Sequence, residues 1–396
     1  MNDADIEVDG DGNTILMAVA ATDLSIGGAT LPGAGTFGSY MFVAKLNPMG
    51  GLMWSKTAKV GSVDYIGNGS MTVDGNGGVV VTGYAEISTT FGGPTIASTE
   101  PDVFAVRLNS DGSHDWTWRT PAGQAEPHMR RVVAADDGDS YILGEAGFST
   151  LDVCGLTVPA YALFAFRLAS GASCTWRKAW ASATVRGAQV AAGRLLLTGS
   201  FQGSLDFGGG ALTAAGRDVF VASLDTATGA EAWSKSFGDG ADQAGDDLAV
   251  FSNGDILVVG HGAGNIDFGG DVLTGSSEDV FLARLSSTGA HISSSRHGDS
   301  AVQDVRGVAV GVGDYWAVVG GSEGLLSFDG ASVDTVSALP FVASFHGEGS
   351  GLWAQTVAAA VGSPVQVTSG HVYDVAIAAN GETVVLTGDR VVRYSP

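Results

Sequence analysis

A six-residue pattern of strand-forming residues recurs along this chain about once every 60 residues. Each copy combines a large apolar residue with Phe, and each follows an apolar run that ends in or near Gly. The copies are Met41–Leu46, Val103–Leu108, Leu163–Leu168, Val219–Leu224, Val280–Leu285 and Pro340–Phe345. A repeat of this length with strand chemistry predicts a β-propeller, in which each repeat forms one blade.

The apolar runs between these copies set the number of blades. The inner strands of a blade are covered on both faces and therefore read as continuous apolar segments. The runs are Ile15–Ala20, Val79–Gly83, Tyr141–Gly144, Leu195–Gly199, Ile256–Gly260, Ala317–Gly320 and Val384–Gly388. We therefore expect an all-β, seven-bladed propeller of four-stranded antiparallel blades, about 27 strands in all.

The two ends of the chain refine this expectation. The last repeat shortens to Val391–Tyr394, which predicts a truncated, three-stranded last blade, whereas Asp5–Val8 reads as the innermost strand of the first. Six blades and a cap are the alternative. One repeat array covers residues 1–396, which indicates a single domain. The expected repeats are about 1–60, 61–122, 123–182, 183–240, 241–300, 301–362 and 363–396.

Five repeats carry one tryptophan in their predicted outer strand. These residues are Trp54, Trp116, Trp176, Trp233 and Trp353. A large, partly polar ring at a half-exposed position suits packing between neighbouring blades. The fifth repeat has no such tryptophan, and Ile292 or a neighbour is expected to substitute for it.

The repeats resemble the SBBP-type propeller repeats of bacterial secreted and cell-surface proteins. The resemblance covers nearly the whole chain and rests on Asp246–Phe251, Asn253-Gly254, Val258–Gly260, Asp267-Phe-Gly-Gly270 and Asp279–Leu285. The first and third repeats depart from it, with Leu24–Gly28 and Asp152–Gly155 in place of Asp-Phe-Gly-Gly. The resemblance implies an adhesion, recognition or surface-assembly module and carries no shared activity.

Charge excludes some classes of partner. The chain has 42 acidic and 19 basic residues, a formal net charge of −23. Such a surface cannot neutralise phosphates, which argues against nucleic acid and against anionic membranes. No apolar run reaches the roughly 18 to 20 residues that span a bilayer. The low Lys content and the richness in Gly, Ser and Thr favour an extracellular or cell-surface location with the leader removed; a cytoplasmic location is the alternative.

Two features leave a structural and a functional interpretation open. Cys154 and Cys174 flank one predicted strand, so they either form a local disulfide or stay as thiols. Asp9, Asp11 and Asn13 space oxygen atoms as calcium loops do, which would make Ca²⁺ the one candidate cofactor. The corresponding segments of other repeats read as hairpin turns, so we favour a turn over a weak cation site.

The strongest functional prediction rests on position. Loops that enter the innermost strand or leave the second strand of each blade gather around the axial funnel of a propeller. These loops are expected to hold Asp64, Tyr65, His128, Arg130, Arg131, Arg186, Asp242, Gln243, Asp246, Asp304, Arg306, His371 and Tyr373. Polar and aromatic groups that converge there predict a binding site. The structural alternative is that Asp246, Asp304 and Asp374 only accept hydrogen bonds from loop amides.

These observations predict a non-catalytic binding or scaffolding propeller with a glycan or protein ligand at the cell surface. Lectin-like or adhesive binding would use several similar loops at once. The alternatives are a carbohydrate-active enzyme that uses a carboxylate pair, Glu86 and Glu145, and a structural part of a larger surface assembly. The sequence names neither the ligand nor an oligomeric state.

Overall fold

A computed structural model describes residues 4–20, 23–26, 28–31, 39–61, 69–85, 87–96, 102–121, 128–328, 330–347, 350–357, 372–387 and 391–395. The chain is all-β, a seven-bladed β-propeller. A turn of 3₁₀-helix covers Val312–Asp314. Among the described residues, no helix has the length and apolar character needed to cross a membrane.

The chain divides into two compact units, Met1–Val185 with Ala227–Gly229, and Arg186–Thr226 with Ala230–Pro396. The strands of the first three blades are Ala4–Val8 (β1), Thr14–Ala20 (β2), Leu24–Ile26 (β3), Ala29–Leu31 (β4), Ser39–Leu46 (β5), Leu52–Gly61 (β6), Ser70–Val73 (β7), Val79–Ala85 (β8), Asp102–Leu108 (β9), His114–Arg119 (β10), His128–Ala134 (β11), Ser140–Glu145 (β12), Leu151–Val153 (β13), Leu156–Val158 (β14), Leu163–Ala169 (β15) and Ser173–Ala179 (β16).

The last four blades follow in the same way. Their strands are Ala183–Ala191 (β17), Arg194–Leu205 (β18), Leu212–Asp225 (β19), Glu231–Phe237 (β20), Gln243–Val250 (β21), Ile256–Ile266 (β22), Leu273–Leu285 (β23), His291–His297 (β24), Gln303–Val310 (β25), Tyr315–Phe328 (β26), Ala331–His346 (β27), Ser350–Thr356 (β28), Val372–Ile377 (β29), Thr383–Thr387 (β30) and Val391–Tyr394 (β31).

Each blade is an antiparallel sheet whose strands pair in chain order. In the described ranges the sheets β1-β2-β5-β6 to β25-β26-β27-β28 have four strands each, and β29-β30-β31 has three. The recurring six-residue pattern forms the third strand of each four-stranded blade, and the apolar runs form the second. The truncated last blade and the role of Asp5–Val8 in β1 are confirmed, and the alternative of six blades and a cap is wrong.

The segment that joins the second and third strands carries further strand pairing in three blades. In blades 4 to 6 these two strands continue as one extended hairpin, with Leu205 paired to Leu212 at its tip. The Asp-Phe-Gly-Gly motif forms this tip: Asp206 Oδ1 accepts the N–H of Gly208, which has a φ of 128° that glycine adopts without strain. Phe207 is buried against Phe220 of the third strand. The motif is therefore a turn with an apolar anchor.

Side chains link the innermost strands of successive blades. An innermost strand leaves one row of backbone N–H groups without a strand partner. In the first compact unit the N–H of Met71 donates to Asp5 Oδ2 at 2.7 Å, and the N–H of Val132 donates to Ser70 Oγ at 3.2 Å. In the second, Asp247 accepts the N–H of Val308 at 3.0 Å. These bonds satisfy donors that would otherwise be buried without a partner.

Glu7 belongs to the same set, because it accepts the N–H of Val73 at 3.3 Å. Burial raises the pKa of Glu7 from 4.5 to about 7, although hydrogen bonds from Thr72 and Val73 act in the opposite direction. The folded protein therefore holds a proton on Glu7 in the pH window between these two values, where the unfolded chain has released it.

The wild-type protein is expected to lose about 2 to 3 kcal/mol of stability as pH rises from 4.5 to 7, because the folded state binds this extra proton. Glu7→Gln should remove that slope. Urea unfolding at pH 5 and pH 8 measures it, with the exposed Asp271→Asn as control. If the slope of Glu7→Gln equals that of the wild type, another group causes it.

The outer tryptophans pack between blades, as predicted. Trp54 Nε1 donates to the carbonyl oxygen of Ser110 in the next blade at 3.0 Å, and Trp233 donates to that of Ser287 at 3.0 Å. Both rings lie over a glycine of the same turn, Gly112 or Gly289 in these blades. The expectation for Ile292 is wrong, since its side chain points to solvent and is 41% exposed.

Candidate ligand-binding pocket

Four innermost strands, β11, β21, β25 and β29, share a β-bulge at one register position. In β11 the ladder shifts between Met129 and Arg131, in β21 between Gly245 and Asp247, and in β25 between Val305 and Gly307. The extra residue at this position is Arg130, Asp246, Arg306 and, in β29, Tyr373. A bulge turns its side chain out of the regular alternation, so these residues present functional groups at equivalent places.

Most of the predicted funnel residues that the structure describes therefore lie in strands and not in loops, which corrects the expectation from sequence. His128, Arg130 and Arg131 belong to β11, and Gln243 and Asp246 belong to β21. Asp304 and Arg306 lie in β25, Tyr373 lies in β29 and Arg186 lies in β17. Asp242 lies just before β21, in an isolated bridge to Arg217. Asp64, Tyr65 and His371, together with Glu86, lie outside the described residues.

A pocket of about 330 Å³ opens in blade 3 beside the bulge of β11. We call it the blade-3 pocket. It is lined by His128, Arg130, Glu145, Ala146, Gly147, Phe148, Tyr161 and Ser182. Two of the predicted funnel residues thus meet one member of the predicted carboxylate pair.

The charged floor of the blade-3 pocket is an ion pair. Arg130 Nε donates to Glu145 Oε1 at 3.1 Å, and Arg130 Nη2 donates to Oε2 at 3.2 Å. This two-point geometry fixes the planes of both groups and orients their remaining hydrogen-bonding positions. Among the described residues that line the pocket, Glu145 is the one carboxylate.

Two aromatic rings stand at the blade-3 pocket and face solvent. Phe148 is 62% exposed and Tyr161 is 61% exposed. Backbone hydrogen bonds bring their segments together, since the N–H of Tyr161 donates to the carbonyl of Gly147 and that of Ala146 donates to Ala162. The sequence reasoning missed both rings. They lie in the third repeat, where the Asp-Phe-Gly-Gly motif is replaced.

A disulfide lies in the same blade. Cys154 and Cys174 are bonded, with their Cα atoms 6.3 Å apart. Cys154 follows β13, and Cys174 belongs to the outer strand β16. The bond therefore ties the β13–β14 hairpin to the blade sheet and decides between the two interpretations left open by the sequence.

A second polar cluster surrounds the bulge of β21. Asp246 accepts a hydrogen bond from Arg186 Nη1 at 2.6 Å and pairs with His261 Nδ1. Glu278 lies 3.4 Å from the other ring nitrogen of His261. Burial disfavours the charged ring, but the hydrogen bond to Asp246 and the negative charges of Asp246 and Glu278 together outweigh it and raise the pKa of His261. The carboxylate of Asp246 is thus satisfied by two side chains, Arg186 and His261, and not by the loop amides of the structural alternative.

The other predicted members in these blades have structural partners. Gln243 is buried and donates through Nε2 to Asp239 at 3.0 Å and to the carbonyl of Ala263 at 2.6 Å. Asp304 accepts the N–H of Gly321 at 2.7 Å and lies 3.4 Å from Arg306. Arg131 lies 3.9 Å from Asp5. Their expected role in ligand binding stays a prediction.

The candidate cation site is a hairpin turn closed by a buried lysine. Asp9 Oδ1 accepts the N–H groups of Asp11 and Asn13, and Oδ2 lies 2.8 Å from Lys45 Nζ. Hydrogen bonds and the Lys45 ammonium hold the pKa of Asp9 below its ordinary value, against the opposing effect of burial. Within the described ranges, no three His, Cys, Asp or Glu side chains gather as metal ligands.

The same ion pair recurs through the propeller. A carboxylate in the turn between the first two strands meets the basic residue of the third strand. The pairs are Asp9–Lys45, Asp74–Arg107, Asp139–Arg167, Asp255–Arg284 and, in the last blade, Glu382–Arg393. The basic residue of the recurring pattern therefore serves to hold the turn, which supports the turn interpretation of Asp9, Asp11 and Asn13.

Comparison with known proteins supports the fold and nothing finer. No protein-family model matches the chain, and no curated protein shows significant similarity to it. Among solved structures, the hydrazine synthase of Kuenenia stuttgartiensis has a TM-score of 0.54 at 10% identity, over 99% of this chain and 95% of that one.

Two further structures have lower scores. The Dos1 propeller has a TM-score of 0.48 at 10% identity, over 100% and 92% of the two chains. An ulvan lyase of polysaccharide lyase family PL25 has 0.47 at 11% identity, over 98% and 90%. At such identities a structural likeness concerns the fold alone. By its own sheets, the chain has the β-propeller fold.

Proposed function

We propose that this propeller is a non-catalytic binding module of the cell surface or extracellular space, and that the blade-3 pocket takes a glycan. One observation carries the proposal: two exposed aromatic rings, Phe148 and Tyr161, stand beside the oriented Arg130–Glu145 pair. Sugars combine apolar C–H faces with hydroxyl groups. Aromatic rings suit the faces, and charged hydrogen-bonding groups suit the hydroxyls.

The polar floor favours binding over hydrolysis. Glycosidases position two carboxyl groups around the scissile bond, one of them as a general acid. In the blade-3 pocket both oxygens of Glu145 accept hydrogen bonds from Arg130. That arrangement suits Glu145 as a fixed acceptor and Arg130 as a fixed donor for the hydroxyl groups of a ligand, without cleavage of the glycosidic bond.

A glycan array, run with calcium and again with a chelator, tests the proposal. We expect binding in both conditions, because no metal ion takes part. Phe148→Ala and Tyr161→Asn should each weaken binding about fivefold, since one ring contact contributes about 1 kcal/mol. Asparagine is chosen because Tyr161 has a φ of 59°, which asparagine tolerates.

Met49→Ala is the matched control, because Met49 is 95% exposed and lies in blade 1. It should bind like the wild type. Silence on the array in both conditions would sink the glycan proposal and favour a protein ligand. Binding that a chelator abolishes would place the ligand at a cation site instead.

A further inference from the structure

The outer strand of blade 5 lacks the ring that other blades place there. In blade 4, Trp233 pairs with Ser223 in the ladder and reaches the carbonyl of Ser287 in the next blade. In blade 5, the residue at this register is Ser293, which pairs with Arg284. Ser293 is exposed and far too small to reach blade 6.

Blade 6 supplies a partial substitute from its second strand. Trp316 Nε1 donates to the carbonyl of Gly347 at 3.4 Å, at the turn position that Ser287 occupies in blade 5. The Trp316 ring stacks on Phe345, with ring centres 3.9 Å apart and planes 9° from parallel. Trp316 therefore makes the hydrogen bond that a tryptophan at position 293 would make. It does so from within blade 6, the blade that also contains Gly347, and not from blade 5.

A cavity of about 230 Å³ remains between the two strands. We call it the blade-5 cavity. Its lining combines apolar and aromatic side chains with one guanidinium, a row of serine hydroxyl groups and one imidazole. The lining residues are Phe251, Leu257, Leu282, Arg284, Ser293, Ser294, Ser295, His297, Trp316, Phe328, Phe345 and Gly347.

Size and chemistry select the occupant. A dry apolar cavity of about 150 Å³ accepts a benzene ring, so the blade-5 cavity has room for a fused two-ring system. The Arg284 guanidinium already lies over the Phe251 ring at 4.2 Å, so a cation and a π face line the same wall. The hydroxyl groups of Ser293, Ser294 and Ser295 offer hydrogen-bond acceptors to a ring N–H.

We propose that the blade-5 cavity is a binding site for an indole ring, entered past Ser293. The ring is the chemical group that blades 1 and 4 supply from their own outer strands at this position. Free indole and the side chain of a tryptophan in a partner peptide share this chemistry.

Calorimetric titration with indole and with N-acetyl-tryptophanamide tests the site and separates the two sources. The wild type should bind indole, and Ser293→Trp should bind at least about tenfold more weakly, because its own ring fills the cavity. The same variant should melt at a higher temperature. Comparable affinity for N-acetyl-tryptophanamide would identify a peptide side chain as the ligand, and binding of indole alone would identify a small molecule.

Ile292→Trp is the matched control, because Ile292 neighbours Ser293 but points to solvent and does not line the cavity. It should bind indole like the wild type. If Ser293→Trp does not fold, Ser293→Phe provides the same block with a smaller ring. Absence of indole binding by the wild type, or equal binding by the filled variant, would overturn the proposal.

Discussion

Arg296→Met is expected to lower the free energy of unfolding by about 4 kcal/mol, because it removes one member of a buried ion pair. Arg296 donates to Asp279 Oδ2 at 2.8 Å and to the carbonyls of Gly262, Gly264 and Ser277 at 2.7 to 2.8 Å. Its side chain is 8% exposed. Methionine fills similar space but leaves a buried carboxylate and three carbonyls without this donor.

Urea denaturation followed by tryptophan fluorescence measures the loss. Arg306→Met is the control, since Arg306 and Asp304 form an exposed pair that contributes about 0 to 1 kcal/mol. If Arg296→Met lowers the free energy of unfolding no more than Arg306→Met does, the buried hydrogen bonds of Arg296 add nothing to stability.

Blade 4 offers a sharper comparison at the aligned position. Asp218 corresponds to Asp279, but Ser236 stands where blade 5 has Arg296. Asp218 Oδ1 has no hydrogen-bond partner among the described residues, and burial raises the pKa of Asp218. At neutral pH, Asp218→Asn should therefore stabilise the protein by about 1 kcal/mol, whereas Asp279→Asn should destabilise it by about 3 kcal/mol.

The second large effect is expected at Lys45. Lys45→Met should lower the free energy of unfolding by about 3 kcal/mol at pH 7, because Asp9 and Lys45 are both almost fully buried and pair at 2.8 Å. The pKa of Asp9 lies below its ordinary value. The stability that Asp9 contributes is thus present above its unfolded pKa and is lost as pH falls through the folded pKa.

The gap between the wild type and Lys45→Met should therefore narrow as the pH falls from 7 towards 3. The same pair of proteins tests the cation site. Calcium should leave the melting temperature of the wild type unchanged, and should raise that of Lys45→Met, whose Asp9 has lost its ammonium partner. A calcium-dependent rise in the wild type would contradict this and restore Asp9, Asp11 and Asn13 as ligands.

The sequence predicted the strands well because each one carries its own chemistry. The apolar runs predicted the second strand of each blade, and the recurring pattern predicted the third. A strand that is buried on both faces has an apolar composition that can be recognised from its own residues. The ion pairs between the turn carboxylates and the third strand were not predicted, although they left a signal in the sequence. The basic residue in Phe-Val-Ala-Lys-Leu and the Asp of the preceding turn recur together in most repeats.

The candidate site was harder to predict from the sequence, because it depends on the register between strands and on contacts with neighbouring blades. A bulge at Arg130 or Asp246 is a property of the ladder between two strands, and one strand read alone does not reveal it. The substitution of Trp316 for the tryptophan absent at Ser293 crosses from one blade to the next. Phe148 and Tyr161 left a signal, as aromatic residues in a segment where the repeat pattern fails.

The contacts that join one blade to the next also bear on how such a chain can change in length. They span about one repeat each: 66 residues from Asp5 to Met71, 62 from Ser70 to Val132 and 61 from Asp247 to Val308. A blade duplicated or deleted as a whole would offer the same donors and acceptors to its new neighbour. Blades 5 and 6 are the exception, because Ser293 and Trp316 complement each other and must be inherited together.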